Sequence, residues 1–167
     1  SSNQTILLVM PSMEYNEEIV DIIKQLKGNI CYVTSNKTFD SLKELFKKKK
    51  INVDNVVFID AISKSLKKVP DQAEQVYYIS NPGALTELSL AIEKFLRHNF
   101  DYLIFDSITN LGIYNKPQIC SKFMTSLVNK IKKTKTKAVF YALDIKEQEE
   151  IIKDASLFVD KVIDLSK

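Results

Sequence analysis

Tryptophan is absent from the 167 residues, and glycine (3), proline (4), cysteine (2) and histidine (1) are scarce. Each shortage removes a class of protein. With so few glycines and prolines the chain is neither a low-complexity linker nor a many-turned sandwich, both of which need those residues at their breaks. Cys31 and Cys120 lie far apart and neither belongs to a CxxC pair, which argues against a disulfide scaffold or a zinc ribbon. Both are expected to be buried thiols in a reducing compartment. His98 has no second histidine for a metal or nucleophile site and is expected to end a helix. No apolar run approaches the roughly 20 residues that span a bilayer, and the segment from Thr5 to Met10 is too short for a signal peptide. A cytoplasmic location is the expectation. The net charge of +3 falls short of the footprint of a dedicated nucleic-acid binder.

What is present is ordinary globular material, 45% hydrophobic and 27% charged, in a length that suits one domain. Short β-rich runs alternate with helical patterns from end to end. The runs are Thr5 to Met10 (TILLVM), Ile30 to Thr34 (ICYVT), Val56 to Asp60 (VVFID), Val76 to Ile79 (VYYI), Asp101 to Asp106 (DYLIFD) and Lys137 to Leu143 (KAVFYAL). Continuous apolar character marks the first and fifth as central strands buried on both faces. Leu157 to Leu165 (LFVDKVIDL) alternates like an edge strand. Between them, Asn16 is expected to cap one helix, Ser80-Asn81-Pro82-Gly83 to open another with proline at its first position, and Asp144 with Glu147 to form a capping box. A polar stretch from Ala61 to Gln75 is the longest irregular segment and is expected at a sheet edge or interface. The fold class is therefore α/β, a three-layer α/β/α domain with a mostly parallel sheet over residues 5–167. Residues 1–4 are expected to be a disordered end or an appended remnant.

In open α/β sheets ligands bind at the carboxyl ends of central strands. Four ends matter here: Pro11 to Tyr15, Ser35 to Thr38, Ser80 to Gly83, and Asp106 to Asn110. An apolar strand ending in Asp-Ser, LIFDSITNL around Asp106, resembles the Walker B strand of RecA/KaiC-like ATPases. Many parallel strands also end in aspartate simply to cap the next turn. Order and spacing extend the resemblance: a first strand with its helix, then CYVT with a polar turn, then YISNPGALTELSLAI before the Asp106 strand. It covers about residues 5–165 and implies a RecA/KaiC-like fold, with Asp106 where the aspartate of such enzymes faces the magnesium of bound nucleotide.

The departures decide the functional expectation. A phosphate-binding loop needs GxxxxGK[ST], in which glycine lets backbone N–H groups wrap the phosphates and lysine neutralises them. The matching stretch from Met10 to Glu18 has neither residue and instead carries Glu14, Glu17 and Glu18. At about 4 Å and an effective dielectric near 20, each carboxylate would repel a phosphate charge by about 4 kcal/mol. Ser35 and Asn36 stand where the resemblance places the glutamates that activate water, and neither accepts a proton near neutral pH. Ser12, Glu14, Ser35, Asn36, Asp106 and Ser107 are thus read as vestigial nucleotide-site positions, with no catalytic residue, metal or cofactor expected. The chain is expected to be a pseudo-ATPase with a regulatory or protein-interaction role, with a protein partner or self-association. The alternatives are a nucleotide-binding protein or slow ATPase holding Mg-nucleotide on Asp106 through unconventional phosphate contacts, and a weak nucleic-acid binder.

Other chemistry is excluded by local pattern. A glycine-rich turn after the first strand is missing, which argues against a dinucleotide site, and no GxSxG elbow surrounds Ser12, Ser35, Ser80 or Ser107, which read as caps. Lysines cluster at Lys47 to Lys50 and Lys130 to Lys137, where helix ends favour cations and no aromatics interleave to stack bases, so nucleic acid is disfavoured. The segment from Ser107 to Pro117 is expected to be a loop whose Leu111, Ile113 and Tyr114 form a candidate interface, with the core as the alternative place for Leu111 and Ile113.

Overall fold

β-Branched and aromatic runs become strands here where helices cover both of their faces. The computed structural model describes residues 3–11 and 15–166. In chain order it gives β1 (Thr5–Met10), α1 (Tyr15–Gln25), β2 (Ile30–Thr34), α2 (Phe39–Lys48), β3 (Val56–Asp60), β4 (Gln72–Ala73), β5 (Val76–Tyr78), α3 (Leu85–Leu96), β6 (Tyr102–Asp106), α4 (Ile108–Tyr114), α5 (Pro117–Lys132), β7 (Lys137–Leu143), α6 (Glu149–Phe158) and β8 (Lys161–Asp164). These strands form one sheet in the order β4-β5-β3-β2-β6-β7-β1-β8, parallel throughout except for β4 against β5. No described helix is long and apolar enough to cross a membrane.

Alternation along the strands builds two cores. Leu8, Met10, Ile30, Tyr32, Phe58, Ile104 and Tyr141 pack with α1 and α2 on one face. Leu7, Val9, Cys31, Val33, Phe105 and Phe140 pack with α3, α4, α5 and α6 on the other. Cys31 and Cys120 are free and buried. Under α2, Phe58 lies 5.1 Å from Phe39 and 5.5 Å from Tyr32 between ring centroids. Such aromatic pairs add about 0.5–1.5 kcal/mol each beyond area burial.

Several local expectations give way to tertiary contacts. Gln4 belongs to the domain: its side chain donates to the carbonyls of Ile131, Thr134 and Thr136, and its own carbonyl accepts from Ala138 N. Asn16 sits within α1, and α3 starts at Leu85, beyond Pro82, with no side-chain cap. No capping box forms at Asp144, because a 3-10 turn at Lys146–Gln148 leads into α6. Leu157 ends up on α6, leaving only Lys161–Asp164 as edge strand. The polar stretch after β3 does reach a sheet edge, as a 3-10 turn at Ser63–Ser65 and then β4. The segment after Ser107 is helical, because Ile108 and Leu111 bury one face of α4 in the core.

Gly112 lets α4 approach α6. A Cβ added there would collide with the side chains of Gln148 and Ile151. Gly112→Ala is expected to cost about 1–3 kcal/mol through overpacking, read as a lowered urea midpoint at unchanged slope.

Candidate functional site

The chain leaves β2 toward the α2 face of the sheet and leaves β6 toward the α4 face, so the connections diverge between these two neighbouring strands. A second divergence lies between β1 and β7, which lead to α1 and α6. Such switch points are where ligand crevices open in α/β sheets. Asp60, Thr34 and Asp106 stand side by side at the ends of β3, β2 and β6. All three are fully buried.

Hydrogen bonds lace the first switch point shut. Ser35 N donates to Asp106 O at 2.7 Å, and Ser35 Oγ donates to Ser107 O at 2.8 Å. From α4, Asn110 Nδ2 reaches back to Ser35 O at 3.2 Å and to Asn36 Oδ1 at 2.9 Å. The turn after β2 closes on itself, with Thr34 Oγ1 donating to Lys37 O at 2.6 Å and accepting from Lys37 N at 3.0 Å. Thr109 Oγ1 accepts from Leu143 N at 3.2 Å and lies 2.9 Å from Ser107 Oγ, tying β7 to the same corner. The Asp106–Ser107 peptide bond is cis.

Beneath this lattice Asp106 faces tyrosines. Tyr32 OH donates to Asp106 Oδ2 at 2.5 Å, and Oδ1 is buried with no hydrogen-bond partner among the described residues. The hydroxyls of Tyr141 and Tyr15 are likewise buried and have no partner among the described residues, and these two rings pack edge to face at 6.2 Å. Lys37 Nζ lies 5.3 Å from the centre of the Tyr15 ring. Burial pushes the Asp106 carboxyl well above the usual carboxylate range, since desolvation disfavours its charged form. Tyr141 is raised by burial first and by the neighbouring Asp106 and Glu18 second. Burial disfavours the charged form of this carboxyl, which makes it ill suited to hold a divalent cation. Among the described residues no cluster of three His, Cys, Asp or Glu side chains could hold a metal.

Of the positions singled out in the sequence, Ser35, Asn36, Asp106 and Ser107 come together here, while Ser12 and Glu14 lie outside the described residues. Ser35 has its hydroxyl committed to Ser107 O and faces no base. Leu111 is fully buried, which removes it from the candidate interface, whereas Ile113 and Tyr114 are 64% and 53% exposed. Sequence reasoning missed Tyr32 and Tyr141, and it placed Tyr15 and Asn110 at strand ends without giving either a role. A signal was present in the tyrosines of ICYVT and VFYAL, polar tips on otherwise apolar strands, but register was needed to aim both at Asp106.

No curated protein matches this sequence. Solved structures do resemble the fold. A KaiC-like protein from the hyperthermophilic archaeon Pyrococcus horikoshii OT3 aligns with a TM-score of 0.62 and 12% identity over 96% of this chain and 71% of its own. An ATPase from the type III secretion system of pathogenic bacteria aligns with a TM-score of 0.63 and 13% identity over 99% of this chain and 52% of its own. At such identities the likeness establishes the fold, which is RecA/KaiC-like. A family model matches residues 1–167, and the chain belongs to that family, the family of unknown function DUF7090.

Proposed function

We propose that the domain binds no nucleotide, catalyses no hydrolysis and acts as a regulatory or protein-interaction module. One observation carries this reading. Asp106, the residue the RecA/KaiC resemblance would place at a nucleotide's magnesium, is fully buried under Tyr32 and Tyr141, where desolvation disfavours its charged form. Binding Mg-nucleotide there would break the Tyr32 bond, ionise a desolvated carboxyl and move packed rings, with no GxxxxGK[ST] anywhere in the chain to repay those costs. Neither Ser35 nor Asn36 supplies a general base, and both are engaged in hydrogen bonds.

Calorimetric titration with ATP, ADP and GTP, each with Mg²⁺ at millimolar concentration, is expected to give no saturable heat. Saturable binding that disappears in Asp106→Asn would replace this reading with a nucleotide-binding one.

A further inference from the structure

The parallel strands all start on one edge of the sheet, opposite the Asp106 corner, so the turns that enter them share one surface. Hydrogen bonds sew those turns together. Asn55 Nδ2 donates to Gly28 O at 2.6 Å, Asn29 N to Asp101 Oδ2 at 2.8 Å, and Thr136 Oγ1 to Phe100 O at 2.6 Å. Lysines crowd this amino edge, with Lys24 and Lys27 before β2, Lys47 to Lys50 before β3, and the run from Lys130 to Lys137 before β7. These lysines are exposed, apart from the half-buried Lys130. The acids on the same edge are Asp54, Glu74, Glu93, Asp101 and Asp160. Glu93 pairs with Lys130 and Arg97 at 3.1 and 3.5 Å, and Asp160 with Lys132 at 3.6 Å. Among the described residues the lysines before β3 make no ion pair, nor do Lys133, Lys135 and Lys137. The net charge of +3 therefore conceals a separation, with cations in excess at the amino edge. Lysines in the last turns of α1, α2 and α5 answer helix dipoles worth about half a negative charge at each end. Lys27, Lys50, Lys135 and Lys137 lie beyond those ends, so the dipoles do not account for them.

We propose that this edge binds the phosphate backbone of double-stranded nucleic acid without reading its sequence. The inference goes beyond the reading of the domain as an interaction module and does not depend on it. The basic turns before β3 and β7 stand three strand spacings apart, about 14 Å, close to the roughly 12 Å between the backbones that flank a major groove. Lysine meets phosphates as a point charge, whereas base edges are read chiefly by side chains that bond bidentately, and Arg97 is the chain's single arginine. None of the exposed large apolar side chains falls in residues 24–29, 47–55, 97–101 or 130–137. A protein partner would need an apolar core at the contact, a single strand would need exposed Phe or Tyr for stacking, and a bilayer would need side chains to insert. A duplex backbone needs only the charge.

The test uses the whole chain and labelled 20-base-pair DNA duplexes of two unrelated sequences. Fluorescence anisotropy at 50 mM salt is expected to give saturable binding, equal for the two duplexes within about threefold. Raising salt to 200 mM should weaken it by about 100-fold, as about four phosphate contacts require. Lys47→Gln with Lys48→Gln should weaken binding at least about fivefold, as should Lys135→Gln with Lys137→Gln, each with a shallower salt slope. Lys116→Gln with Lys146→Gln, exposed lysines toward the opposite edge, should leave it within about twofold. Circular dichroism checks that each variant keeps its fold. The proposal is overturned by absence of binding at 50 mM salt, by binding that either amino-edge pair leaves unchanged, by equal losses in all three pairs, or by a strong preference between the duplexes. Tighter binding to single-stranded DNA, polyglutamate or phosphatidylserine vesicles than to the duplex, at equal charge concentration, overturns it as well.

Discussion

Asp60→Ala is expected to lose at least about 3 kcal/mol of folding stability, the largest single-residue effect foreseen at the carboxyl edge of the sheet. Four donors converge on this carboxyl. Ile62 N and Ser63 N donate to Oδ1 at 2.7 and 2.9 Å, while Phe39 N and Ser63 Oγ donate to Oδ2 at 2.9 and 2.5 Å. Phe39 is the first residue of α2, so the aspartate also meets the positive end of a helix dipole. Removing the carboxyl strands buried N–H groups on two segments at once, and each unsatisfied buried donor costs about 1–3 kcal/mol. Urea unfolding should show a much lower midpoint. Asp60→Asn keeps an acceptor and should recover part of the loss, and equal losses in both variants would mean that the site tolerates unpaired donors.

Asp106→Asn should behave in the opposite way. The folded chain holds this carboxyl with a pKa well above its unfolded value through burial, so folding favours the protonated form. Below about pH 4 both states are protonated and the contribution to stability is intact. Above that point the unfolded chain ionises first, and stability falls by about 1.4 kcal/mol per pH unit until the folded-state pKa is reached. Asparagine cannot ionise and still offers Tyr32 an acceptor. The variant should therefore gain on the parent as pH rises above the ordinary carboxyl range, because the parent alone declines there. Parallel pH profiles in urea melts would show that Asp106 is ionised in the folded protein and would remove the main support for a sealed site.

These two aspartates look alike in sequence, each ending an apolar strand and followed by a small residue. Their opposite behaviour arises from neighbours that no local pattern reports. Ile62 and Ser63 lie close enough in sequence to Asp60 for a capping role to be read, but Phe39 is 21 residues away. Tyr32 reaches Asp106 from 74 residues away, and only because β2 and β6 pair with Thr34 opposite Asp106. Stretches whose meaning depended on a distant partner were the ones sequence reading missed. Leu111 could not be told from a surface leucine until α4 packed on β7 and α6.

Alternation and periodicity in this sequence are enough to determine the alternating strand and helix order, the α/β class, the mostly parallel sheet and the absence of a GxxxxGK[ST] loop, because each is written in residues close together in the chain. Tertiary structure alone decided that β2 lies between β3 and β6, which aims Tyr32 at Asp106 and brings Phe39 N at the start of α2 to Asp60. Burial and hydrogen-bond partnership are set by which strands become neighbours, and that choice is made by the packing of the whole sheet.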